Sequence, residues 1–115
     1  MTLRIALLGL GEAGSAIGRD LVAAGVDVRG YDPRVPFVEG VAARADEADA
    51  VRDADLVLSA TSSHDALTAL THALPGLQPG TVFADLNTAA PGVKVALAEA
   101  AGSDVEVVDL SLIHI

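Results

Sequence analysis

Short, nearly unbroken apolar runs alternate along this chain with longer stretches in which apolar residues recur every three to four positions. Residues 3–8 are apolar apart from Arg4, which suits a strand at the centre of a sheet covered on both faces. Residues 9–14 turn the chain, and a helix is predicted over about 13–24. Its apolar stripe is Ala13, Ile17, Leu21 and Ala24, and Gly25 is its natural terminator. Residues 26–31 alternate apolar and polar side chains, as a second strand nearer an edge would. The stretch 32–40 holds Pro33 and Pro36 and reads as a loop. A short third strand at 41–43, a short acidic helix at 46–52 and a buried strand at 56–60 follow. Ser62 with Asp65 three residues later has capping-box spacing and predicts a helix through about Leu74. Pro75, Pro79 and Gly80 break the chain before a fifth strand at 81–85. Pro91 suits the first turn of a helix ending near Gly102, and 105–108 is a sixth strand. Strands alternating with helical crossovers predict an α/β fold: a three-layer, doubly wound parallel sheet of about six strands.

Composition narrows the class. At 115 residues the chain is one domain, long enough to bury roughly two-thirds of its unfolded surface. With 51% hydrophobic and 20% charged residues it is not intrinsically disordered. Tyr31, Phe37 and Phe83 are its aromatics, so the core must be built from Ala, Val, Leu and Ile. Against 7 basic residues stand 16 acidic ones, a formal charge of −9. That balance argues against nucleic acid or an anionic membrane as partner, since both need clustered Lys and Arg. The lack of cysteine excludes disulfides, thiolate metal sites and a thiol nucleophile, and fits a reducing cytosol. No apolar run approaches the roughly 20 residues of a bilayer crossing, and no signal-peptide pattern is present. The expectation is a cytoplasmic protein with no membrane partner.

The chemistry sits in the first turn. Gly9-Leu10-Gly11-Glu12-Ala13-Gly14 is GxGxxG, placed directly after the first predicted strand and opening the first helix. In that context the first glycine permits the tight turn, the second admits a pyrophosphate to the backbone, and the third lets helix and strand pack closely. The anion then meets unpaired helix N–H groups and the positive end of the helix dipole. A dinucleotide site also needs an acid at the end of the second strand to accept from the adenosine ribose, and Asp32 holds that place. A carboxylate there repels a 2′-phosphate and favours NAD over NADP. Arg34 pulls the other way, because it can pair with that phosphate.

With this loop, and with Asp85-Leu86-Asn87-Thr88-Ala89-Ala90-Pro91 after the fifth strand, the chain resembles the 3-hydroxyisobutyrate and 6-phosphogluconate dehydrogenases, the β-hydroxyacid dehydrogenase family. Their N-terminal Rossmann domains open on a GLGxMG-type loop and carry an Asp-x-Ser-Thr-x-x-Pro motif. The resemblance runs from about Leu3 to Asp109. Departures are Ala13 for the loop methionine, Asn87 for the serine, and Ala60-Thr61 for a Leu-Pro after the fourth strand. The resemblance implies that Leu10, Gly11, Glu12 and Ala13 line the pyrophosphate and Asp32 the ribose. Ala60 and Thr61 would pass under the adenosine, and Thr88 would lie near the nicotinamide. Asp65 matches a cofactor-contacting asparagine of relatives, or else serves only the capping box with Ser62. Asn87 and Thr88 could likewise be no more than a turn before Pro91. The implied activity is hydride transfer between NAD(P) and a small β-hydroxyacid-type substrate, in a parent enzyme that is a homo-oligomer. The alternatives are a stand-alone dinucleotide-binding or redox-sensing module, and a fragment of an imine or pyrroline-carboxylate reductase.

Other candidates carry less. His64 and His72 lie two turns apart on one predicted helix, but no acid or cysteine completes a metal site there. Glu12 is expected to point into solvent, away from an anionic pyrophosphate. The acids at 46–55 read as a solvated face. Lys94, the single lysine, reads as a surface residue; the general acid–base lysine of relatives lies beyond this chain, so no catalytic residue is assigned. The tail 110–115, Leu-Ser-Leu-Ile-His-Ile, is either an apolar extension of the sixth strand or the translation of a transposon-end sequencing adapter. On the second reading residues 1–109 form the dinucleotide-binding domain, 110–115 are not native, and a C-terminal helical domain is absent.

Overall fold

The computed structural model describes residues 3–36, 38–62, 64–87 and 91–110. The elements run β1 (Arg4–Leu8), α1 (Glu12–Ala23), β2 (Asp27–Tyr31), β3 (Ala42–Ala43), α2 (Glu47–Val51), β4 (Leu56–Ser59), α3 (Ala66–Ala73), β5 (Val82–Asp85), α4 (Pro91–Ala101) and β6 (Glu106–Asp109). They form a six-stranded sheet in the order β3-β2-β1-β4-β5-β6, with every neighbouring pair parallel. The most apolar run in the chain, β1, occupies the middle, where both faces are covered.

Strand alternation then divides the core in two. Ala6, Leu8, Val57 and Phe83 face one way and pack against Val51, Leu70, Ala73 and Leu97 of α2, α3 and α4. Ile5, Leu7, Val28, Leu58 and Ala84 face the other way, toward Ile17, Leu21 and Val22 of α1. Among the described residues Phe83 is the largest fully buried side chain, and it belongs to the first layer. The register sets Tyr31, Leu8, Ser59, Asp85 and Asp109 in one row across the carboxyl ends of the strands. On β4, β5 and β6 that row is polar, and Ser59 and Asp85 in it are fully buried.

Two local expectations change. The third helix starts at Ala66, because Ser62 and Asp65 bond to each other in a turn ahead of it. Asp65 N–H donates to Ser62 Oγ at 3.1 Å, and that hydroxyl donates to Asp65 Oδ2 at 3.2 Å. Asp65 stands at the N-cap without a side-chain capping bond, and His64 falls outside the helix that was to carry both histidines. The reciprocal cap forms instead at α2. Asp46 Oδ1 accepts from Asp49 N–H at 2.8 Å, and Asp49 Oδ2 accepts from Ala45 N–H at 3.0 Å. In β2, the polar position Arg29 is buried; its guanidinium donates to Arg52 O at 3.1 Å and to Asp27 Oδ2 at 3.2 Å.

Candidate functional site

In an open parallel sheet, ligands sit beyond the carboxyl ends of the strands where connections leave in opposite directions. Here that point lies between β1, which leads through α1 to β2, and β4 on its other side. The glycine loop occupies it. Gly9 has φ of +96° and donates its N–H to Tyr31 O at 3.0 Å, so the turn is tied to the end of β2. A Cβ on Gly9 would run into the Ala60 carbonyl beyond β4, and one on Gly14 would run into the Gly9 carbonyl. Those two glycines are packed against backbone. Gly11 differs: a Cβ there would meet nothing within 4 Å.

Gly11 is also the N-cap of α1, and it supplies no side-chain acceptor. The first-turn N–H groups of a helix have no acceptor within the helix. The space beside Gly11 at this helix N-terminus is open, which is the form a pyrophosphate cradle takes. Glu12, in the same turn, is exposed. Leu10 buries its side chain while its N–H points to Asp32 Oδ2 at 2.7 Å. The other oxygen of that carboxylate accepts from Arg34 N–H at 2.7 Å and Val35 N–H at 3.3 Å. Asp32 therefore clamps the glycine loop to the β2 turn, and of a carboxylate's roughly four acceptor positions one, on Oδ2, is left for a ligand hydroxyl.

Two cavities flank Asp32. The smaller, about 290 Å³, brings Asp32 and Arg34 together with Thr61, Ser62, Asp65 and Thr68. It thus unites the residues expected at the adenosine side, with Ala60 adjoining through its contact with Gly9. The larger, about 490 Å³, lies over Leu10, Gly30, Val35, Ala43 and Arg44. Arg34 is largely exposed and stands 3.9 Å from Asp65 Oδ2, an ion pair across the mouth of the smaller cavity. His72 in the same cavity is 3.4 Å from Glu47 Oε2. Thr88 lies outside the described residues, as do 111–115 of the tail. Leu110 is described, and its N–H continues the β6 ladder to Asp85 O at 2.9 Å.

Lys94 corrects the sequence reading. It is no surface residue: its ammonium lies 2.6 Å from Asp85 Oδ2, 2.6 Å from Asn87 O and 3.0 Å from Asp109 Oδ1. Asp85 is fully buried, and a buried carboxylate is costly without a counter-charge, so α4 delivers the lysine to it. Burial opposes the lysine's charge, but the bonds to Asp85 and Asp109 outweigh it and hold its pKa above the ordinary lysine value. The sequence signal was an acid closing an apolar strand, with a lone lysine on the next helix.

Comparison with known proteins agrees with this geometry. The family described as the NAD binding domain of 6-phosphogluconate dehydrogenase matches residues 4–111. A probable 3-hydroxyisobutyrate dehydrogenase of Mycobacterium bovis is 34% identical over an alignment of 90 residues that covers 73% of this chain and 31% of that protein. The solved 3-hydroxyisobutyrate dehydrogenase of Mycobacterium tuberculosis superposes with a TM-score of 0.88 at 29% identity, covering 99% of this chain and 42% of that one. An imine reductase from Pseudomonas sp., at 20% identity and a TM-score of 0.81 over 95% of this chain and 41% of its own, shares the fold. The chain spans about a third of the length of the curated relatives it matches. The match over residues 4–111, on a chain with this glycine loop and sheet order, shows the family: the protein belongs to the family of the NAD binding domain of 6-phosphogluconate dehydrogenase.

Proposed function

We propose that this chain is the cofactor-binding part of an oxidoreductase that moves a hydride between a nicotinamide dinucleotide and a small β-hydroxyacid. The observation that carries the reading is the contrast within the glycine loop: Gly9 and Gly14 are locked against backbone, while Gly11 opens onto free space at a helix N-terminus. Leu10, Gly11, Glu12 and Ala13 would supply the backbone around the pyrophosphate. Asp32 would accept from the adenosine ribose, and Ala60, Thr61 and Asp65 would border the adenosine. By the resemblance, the substrate determinants, the acid–base residue and the oligomer contacts would belong to the part of the relatives that this chain does not span. No described helix is long and apolar enough to cross a membrane, and a cytoplasmic location is part of the proposal.

NAD is the preferred cofactor on this reading, because Asp32 stands at the ribose while Arg34 leans to Asp65. Thermal unfolding of the chain with NADH and NADPH tests both statements. A ligand at about 100 times its Kd stabilises by about 2.7 kcal/mol, a rise in Tm of about 10 °C for a domain this size. NADH should give that rise at lower concentration than NADPH. No shift with either cofactor would sink the proposal, and a lower threshold for NADPH would reverse the preference.

A further inference from the structure

Glu47 of α2 and His72 of α3 meet in the wall of the smaller cavity beside Asp32. Glu47 stands in the first turn of its helix, and its side chain is 15% exposed. Its side-chain partner among the described residues is His72, whose Nδ1 lies 3.4 Å from Glu47 Oε2. A carboxylate largely withdrawn from water is better served by a charged donor than by a neutral one. His72 lies in the last turn of α3, where the carbonyl end of the helix favours a cation. Its ring is more than half exposed, so protons reach it. Histidine is the side chain whose charge ordinarily changes between about pH 5 and 8.

Helix α3 packs against α2, α4 and the 3-10 turn Leu74–Gly76. On α2, Asp46 and Asp49 make the cap, and Asp49 also pairs with Arg52. On α4, Lys94 is bound to Asp85 and Asp109, and Glu99 is exposed. The turn carries no titratable side chain. The cavity itself sets the carboxylates of Asp32, Glu47 and Asp65 against the guanidinium of Arg34, and His64 does not line it. With His72 neutral that lining is negative and opposes an anionic pyrophosphate arriving with adenosine; an imidazolium offsets one of the carboxylates. We propose that His72 makes dinucleotide capture at this cavity depend on pH, binding strengthening as the ring gains its proton. The inference rests on the dinucleotide reading above. Linkage requires the converse: the bound cofactor favours the protonated ring, so binding near the middle of its titration takes up protons.

The test is calorimetric titration of NAD, whose own charge is constant in this range, between about pH 8 and about pH 5.5. It is run on the parent chain, on His72→Gln, which cannot take the charge, and on His72→Lys, which keeps it throughout. The parent should gain about threefold in affinity toward acid over whatever His72→Gln gains, the scale of one partly screened charge. His72→Lys should bind at about pH 8 as tightly as the parent does in acid. Near about pH 6.5, titrations in two buffers of different ionisation enthalpy should show proton uptake by the parent that His72→Gln lacks. A merely structural histidine would lower affinity equally at every pH and leave proton uptake unchanged, and that result overturns the inference. So does an equal acid gain in parent and His72→Gln, or a parent whose affinity does not change with pH; NAD binding in either case leaves the dinucleotide reading standing. A parent that binds NAD at no pH overturns both the inference and the NAD reading beneath it.

Discussion

At the scale of single residues, the three loop glycines are equivalent in sequence and different in space. Gly14 has no room for a side chain, so Gly14→Ala should cost about 1–3 kcal/mol or more by overpacking. Gly11→Ala meets nothing, and its stability cost should stay within about 1 kcal/mol, the difference between glycine and alanine at an N-cap. The same methyl group would fill the space left for the ligand, so NADH affinity should fall at least about tenfold. Urea denaturation and calorimetric titration of the two variants separate the effects; unchanged NADH binding by Gly11→Ala would contradict the assigned cradle. Spacing alone marked these glycines and Asp32, because each answers to a local backbone demand. Lys94 was not legible in that way. The sequence of α4 is apolar nearly all round, so its period does not say which side meets the sheet, and Asp85 had no visible need until its burial was known.

At the scale of elements, the order of strands and helices followed from periodicity, while the starts of helices depended on which side chain found which N–H. Ser62 and Asp65 satisfied each other, and Asp46 and Asp49 made the cap. Strand register has its own pin at the amino ends of the two central strands. Asp55, just ahead of β4, accepts from Arg4 N–H at 2.8 Å and pairs with its guanidinium, fixing the entry of β1 beside β4. The Arg4 backbone N–H, then its side chain, hold the Asp55 carboxyl below its ordinary value of 3.8. A lowered carboxyl stabilises the fold above that value, and the contribution fades as pH falls through the native one. Asp55→Ala should therefore unfold at lower temperature than the parent at neutral pH, by a small margin since the pair is exposed. Melting curves from pH 7 into the acid range should show the two converging below about pH 4. A gap of constant size across that range would assign the pin no charge-dependent role.

At the scale of the whole molecule, the aromatic-poor composition foretold a core of small aliphatic residues, and among the described residues one aromatic ring, that of Phe83, is fully buried in it. Phe83 touches the layer that three helices cover, so Phe83→Ala should cost about 3–5 kcal/mol. Domains of this kind hold only about 5–15 kcal/mol in all, so the variant should sit near the edge of folding. Saturating NADH should recover part of the loss, about 2.7 kcal/mol at 100 times Kd, measurable as a restored denaturation midpoint. A variant rescued no more than the buffer control would detach cofactor binding from the folded sheet. The grip of Asp32 on the Leu10, Arg34 and Val35 N–H groups has a kinetic consequence at this same scale. The loop that would wrap the phosphates is already held in shape before anything arrives, so little ordering entropy is lost on capture. Association should be a single fast step whose rate rises linearly with cofactor concentration, with affinity differences among loop variants appearing in how quickly the cofactor leaves.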